Sequence, residues 1–222
     1  MDKVIEMGSS NNRQTLSVRD WAEAALEVIA ELGVKGVAVE PLARRLGVTK
    51  GSFYWHFANR RALLQAALEL WEHQQTDQIL ARVEQESDPR RRLARVFAEA
   101  DGSQYAGRLY LALAGATENK LIQTVVRRVI ERQTEFLWRC YIDLGLDEQA
   151  ARHKAVLAYS VFMGTLELRR DAPETVPAGD DFHEYMHFIG EALIPGYDRS
   201  LHRRDPAEGT GENVARIGDQ RR

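Results

Sequence analysis

The stretch LGVTKGSFYWHF, residues 46–57, sets four aromatic rings beside a Thr-Lys-Gly-Ser turn. Gly47 is placed to end one helix, and Thr49 to cap the next with its hydroxyl. With Thr49 at the N-cap, Val48 falls at N′ and Phe53 at N4, the two positions of a hydrophobic staple. Phe57, one turn after Phe53, shares its inward face. Two rings are therefore core by geometry, while Lys50, Gly51, Tyr54 and, obliquely, Trp55 and His56 point elsewhere. Two short helices around a tight Gly turn predict a helix-turn-helix.

In that motif the first turn of the second helix enters the major groove, where side chains reach base edges and amides reach phosphates. Gly51 removes a Cβ from the closest approach. Lys50 suits guanine O6/N7 or a phosphate, and Tyr54 offers a ring edge to a thymine methyl and a hydroxyl to a phosphate. The plainer alternative is a surface turn whose aromatics only anchor two helices.

Working outward, Ser17 precedes an apolar rhythm at Val18, Trp21, Ala22, Ala25, Ile29 and Leu32, which is helical spacing. Ser17 is a good N-cap, Asp20 sits in the favourable first turn and Gly33 closes the helix. EPLARRLG forms a short second helix ending at Gly47. Asn59 caps a long run without Gly or Pro that stops near Ser87-Asp88-Pro89, and Pro89 opens another helix. Further helical patterns cover about 104–116, 119–144, 147–170 and 181–194. No strand and no internal repeat emerges, so the expected fold is all-α, a three-helix head followed by a larger helical body.

The charge balance divides along the same line. The chain of 222 residues has a formal charge of −3, so it is no general binder of polyanions. Residues 1–65 carry nine Lys/Arg against seven Asp/Glu, and the surplus of acid falls in the remainder. Between Glu40 and Arg61 there are five basic residues and one acidic, a local patch of the kind that meets phosphates. The single cysteine, Cys140, excludes an intramolecular disulfide framework. No apolar run has the ~20 residues needed to span a bilayer, and the N-terminus lacks a signal-peptide core. The expectation is a cytoplasmic protein.

The segment from Val18 to Leu68, above all VEPLARRLGVTKGSFYWHFANRRALL, resembles the DNA-binding head of the TetR/AcrR family of transcriptional regulators. The resemblance rests on the order LA-x-x-LGV, then Y-x-HF-x-N-[KR]-x-x-L. It implies that Lys50, Gly51 and Tyr54 face bases, and that Ser52, Trp55, His56 and Arg60 contact phosphates. Arg44 and Arg45 are assigned instead to a solvated helix face. It further implies a double-stranded DNA operator, a small-molecule effector and a homodimer as partners, with no cofactor, no metal and no catalytic residue. One departure stands out. The family usually places Thr or Ser ahead of the second helix, and here Ala38 and Val39 precede Glu40 and Pro41. Two readings of Glu40 stay open: acceptor for a cytosine amine, or cap of the short helix, the cap being the plainer.

The body resembles the family in length and helicity. Its aromatic residues are core at helical spacing, and the resemblance nominates Trp71, Phe97, Tyr110, Trp138 and Tyr141 to line an effector pocket. The last two long helices usually pair across a dimer, which nominates Ala158, Phe162, Leu166, Tyr185 and Ile189 for the interface. A competing motif is HEYMH, residues 183–187, which satisfies the H-E-x-x-H pattern. It would make the chain a zinc-dependent hydrolase using His183, Glu184 and His187, with Glu191 the one obvious further ligand. The same residues also belong to an amphipathic stripe of Phe182, Tyr185, Met186, Ile189 and Leu193. A third reading is a helical adaptor whose head binds protein, which the basic patch opposes. The expected boundaries are a disordered 1–15, a DNA-binding domain at 16–65, an effector and dimerisation domain at 66–198, and a disordered tail at 199–222.

Overall fold

The computed structural model describes residues 16–100 and 104–202; the expected disordered segment 1–15 and all but the first four residues of the expected tail at 199–222 lie outside them. Among the described residues every regular element is helical. The order is α1 (Val18–Leu32), α2 (Val39–Arg45), α3 (Lys50–His56), α4 (Arg60–Glu72), α5 (Gln78–Val83), α6 (Pro89–Ala100), α7 (Gln104–Ala114), α8 (Lys120–Asp143), α9 (Glu148–Asp171) and α10 (Asp180–Leu193). Short 3-10 turns lie at Val34–Gly36, Pro173–Thr175 and Arg199–His202, the last within the expected tail. No described helix is long and apolar enough to cross a membrane.

The start of α1 follows the sequence closely. The Ser17 hydroxyl accepts from the Asp20 amide, and the Asp20 carboxylate accepts from the Ser17 amide at 2.6 Å, a reciprocal capping box. These hydrogen bonds hold the Asp20 carboxyl below its ordinary range. Gly33 caps the far end, as expected. The expected uninterrupted helix after Asn59 is corrected: a π turn over His73–Asp77 separates α4 from α5.

The chain divides into two compact units, one of Met1–Gln75 with Tyr105–Arg127, the other of Thr76–Gln104 with Arg128–Arg222. The first extends beyond the expected head. Its core joins Trp21 and Ile29 of α1 to Leu42, Phe53, Leu63, Leu68 and Trp71, and takes in Leu109 and Leu113 of α7. α1 packs along α4, and Trp71 meets the Tyr110 ring at a 5.8 Å centroid separation. The second unit packs Leu93 and Phe97 of α6, Leu137, Cys140 and Tyr141 of α8, Ala151 and Ala155 of α9, and Ile189 and Leu193 of α10. Burial pushes the Cys140 thiol up to about 12, so it is a packing group and an inert thiol.

Phe53 and Trp55 are two residues apart on α3, and their burial is opposite. Phe53 is fully covered, whereas Trp55 is 89% exposed. Phe53→Ala is expected to destabilise the head by about 3–5 kcal/mol, the usual cost of removing a buried aromatic ring. Trp55→Ala should change stability by less than about 0.5 kcal/mol. Thermal or urea unfolding of the two variants checks both figures.

Candidate nucleic-acid interface

α2 and α3 have seven residues each and are held by neighbours rather than by their own ladders. Gly47 makes the turn between them with φ +69°, a conformation that costs a side-chain-bearing residue strain. Phe53 sits edge-on to Trp21 at 5.4 Å and also contacts Phe57 at 5.5 Å. Both rings expected to be core are buried. Thr49 occupies the N-cap position of α3, but its hydroxyl makes no capping bond, a correction to its expected role.

What remains of α3 faces outward. Tyr54 is 57% exposed, with its ring edge-on to Phe53 at 5.2 Å. Ser52 and His56 are half-buried, and Lys50 and Gly51 are exposed. A Cβ built on Gly51 would meet only the Thr49 Oγ1, at 3.6 Å. Nothing inside the head therefore requires glycine at that position.

The basic patch is far more committed than its composition suggests. Arg45 donates to both oxygens of Glu31, at 2.7 and 2.8 Å, and to Glu27 at 3.1 Å, tying α2 to α1. These carboxylates raise the Arg45 guanidinium well above its ordinary value. Arg60, expected at a phosphate, donates from Nε to the Val37 carbonyl at 2.6 Å and from a terminal nitrogen to the Val34 carbonyl at 2.7 Å. It anchors the start of α4 to the chain leading into α2. Lys50 donates to Glu40 at 2.7 Å. Arg44 and Arg61, both exposed members of the basic patch, have no ion pair among the described residues.

Glu40 settles differently from its plainer reading. The N-cap of α2 is Ala38, and no side chain caps that helix. The Glu40 carboxylate lies in the first turn and pairs with Lys50 instead. The hydrogen bond and charge of Lys50 hold that carboxyl below its ordinary range, and Glu40 raises Lys50 in return.

The second unit brings other expected residues together. Phe97, Ala158, Phe162, Leu166 and Ile189 line one narrow apolar cleft with an internal volume of only about 20 Å³, partly open to solvent, with Arg169 lying 4.5 Å from the Phe182 ring centre at its wall. Tyr185 meets the buried Thr165 hydroxyl at 3.4 Å. Residues nominated for a pocket and for an interface thus meet at one place. The five nominated pocket residues are divided between the units: Trp71 and Tyr110 belong to the first, and Phe97, Trp138 and Tyr141 to the second. Trp138 lines a separate depression with Arg92 and Asp143, and Tyr141 is fully buried.

HEYMH has no metal-binding geometry. His183 Nδ1 lies 3.3 Å from the Gly179 carbonyl, and His187 Nδ1 is 2.7 Å from the Tyr197 hydroxyl. Glu184 and Glu191 both pair with Arg199. No group of three or more potential ligands converges among the described residues.

The clamp made by Arg60 yields a test that needs no DNA. Arg60→Ala should destabilise the isolated protein by about 1–3 kcal/mol, because charge-assisted bonds to two carbonyls are lost. Arg60→Lys should recover only part of this, since an ammonium lacks the forked geometry. Unfolding midpoints of the three proteins decide the point.

Residues 22–67 match the family model described as bacterial regulatory proteins, tetR family. The chain is 52% identical over 46 residues to the tetracycline repressor protein class A from transposon 1721 of Escherichia coli, 21% of either chain. The match thus spans about a fifth of that relative's length. Across the fold, a transcriptional regulator from Rhodococcus sp. Rha1 superposes with a TM-score of 0.64 at 22% identity, covering 81% of this chain and 96% of that one. AibR, solved in complex with isovaleryl coenzyme A and operator DNA, superposes with a TM-score of 0.60 at 19% identity, over 81% and 99% of the two chains. These likenesses at low identity establish the all-α architecture, and the head carries the sequence signature. The head of this chain, residues 22–67, is thus similar to that of the tetR family of bacterial regulatory proteins.

Proposed function

We propose that the protein is a homodimeric, sequence-specific transcriptional regulator of the cytoplasm, which represses from a palindromic operator until a small molecule releases it. The observation that carries this reading is the outward face of α3. Lys50, Gly51, Tyr54 and Trp55 are exposed there on a helix fixed from behind by Phe53. Residues 16–65 act as the reading head, and 66–198 as the effector and dimerisation region. Tyr54 and Lys50 face bases, while Ser52, Trp55 and His56, joined by Arg44 and Arg61, approach phosphates. One head reads too few base pairs for useful specificity, and two-fold pairing doubles the readout.

The cleft flanked by α9 and α10 is the proposed effector site, since it is apolar with few polar groups; it is narrow as it stands and would have to widen to admit a small molecule. The coenzyme A thioester in AibR supports an effector for a protein of this fold. Binding there would favour a conformation whose two heads no longer match successive grooves. No catalytic step belongs to this function.

The dimer face lies beside the nominated residues. Ala158 and Ile189 are already covered within the second unit, whereas Val156, Leu157, Leu168 and Phe188 are the exposed apolar residues of α9 and α10. The opposite face of α9 is turned into the cleft, so helical period separates the two jobs. Phe188→Glu combined with Leu157→Glu should give monomers by sedimentation and reduce operator affinity at least ten-fold, with the head still folded by circular dichroism.

DNA binding itself is tested by selecting duplexes from a randomised pool and measuring affinity against salt. Preference over random duplex, with log K falling linearly in log salt, is expected. Tyr54→Ala should weaken operator binding roughly ten-fold or more without altering the dimer. Gly51→Ala should leave the fold as stable or slightly more so, as alanine favours helix by about 1 kcal/mol over glycine. It should nevertheless weaken binding, because the new Cβ meets DNA.

A further inference from the structure

Glu40 is the one acidic side chain on the segment that would face DNA, and its structural uses are few. It caps nothing, it is exposed, and its partner is Lys50, ten residues along the chain. An exposed ion pair of this kind contributes little to stability. A carboxylate brought near a polyanion costs affinity unless it finds a donor. The Nζ–Oε1 distance of 2.7 Å makes the two side chains a compact unit, donor beside acceptor, bridging the first turns of α2 and α3.

We propose that Glu40 and Lys50 together read one G·C base pair, in one orientation, in the major groove. The inference rests on the DNA-binding function above. The major-groove edge of that pair offers the acceptors guanine N7 and O6 and the donor cytosine N4. O6 and N4 are hydrogen-bonded to each other, so they stand about 2.9 Å apart. The ion pair presents the complementary order at nearly the same spacing. The ammonium keeps one hydrogen on Glu40 and directs its others to O6 and N7, while the carboxylate accepts from N4.

Reversing the base pair sets the ammonium against the N4 donor and the carboxylate against O6, so both contacts become repulsive. An A·T pair leaves the ammonium one acceptor fewer and places the thymine methyl alongside. Phosphates offer the neutral pair nothing, because they attract Lys50 and repel Glu40 equally. Selectivity thus comes from a coupled unit that only one base-pair orientation satisfies.

The experiment uses the full-length protein and the duplex selected from the randomised pool. Affinities of wild type, Glu40→Gln, Lys50→Gln and the double variant are measured on that duplex and on versions altered at every base pair. Both single variants should lose roughly ten-fold discrimination at the same G·C position, and the double variant should lose no more than either. Glu40→Gln should also bind random duplex more tightly, with the salt slope steeper by about one, as Lys50 becomes available to a phosphate. Relaxation at two different positions would overturn the proposal and leave DNA reading intact. So would a uniform gain in affinity for Glu40→Gln with base preference unchanged. A wild type without sequence preference would overturn the parent function and this inference together.

Discussion

The contact between Phe53 and Trp21 is the constraint on which the head depends. A seven-residue helix does not persist in water by itself. α3 exists because one face of it is sunk against α1, with Phe53 fully covered and its ring edge-on to the indole. α2 and α3 are then positioned by clamps rather than by length. Arg45 fastens α2 to the acidic side of α1, and Arg60 fastens the start of α4 to the carbonyls of Val34 and Val37. The outer face of α3 is thereby rigid without contributing to the core. Side chains there can be chosen for what they touch outside the molecule.

Much of this was legible in the sequence, and the legible parts are local ones. The capping box at Ser17 and Asp20, the glycine ends of α1 and α2, the Asn59 cap and the division of the aromatic rings follow from spacings of one to four residues. What stayed hidden depends on partners far along the chain. The carbonyl partners of Arg60 lie 23 and 26 residues earlier, and no local pattern announces them. Glu40 looked like a cap because Lys50 comes near it only once the turn at Gly47 is folded. The aromatic residues of the body show the same limit. Periodicity marks Trp71, Tyr110 and Tyr141 as buried, but it does not say which helices they join.

The charge distribution carries a related lesson. Five basic residues between positions 40 and 61 suggested an open cationic surface. In the folded head, internal partners take up Arg45, Arg60 and Lys50, and Arg44 and Arg61 stay unpaired among the described residues. Pairing fixes where these cations point without changing the net charge of the head.

Trp55 has an optical consequence. Of the four tryptophans, Trp21 and Trp71 are fully buried and Trp138 is half-buried, beneath the guanidinium of Arg152. Trp55 alone stands almost wholly in water, on the outward face of α3. Its exposure predicts a red-shifted emission open to collisional quenchers, from which the buried indoles are shielded. The protein therefore carries a native fluorophore on the outward face of α3, whose quenching would report whatever covers that face without an added label.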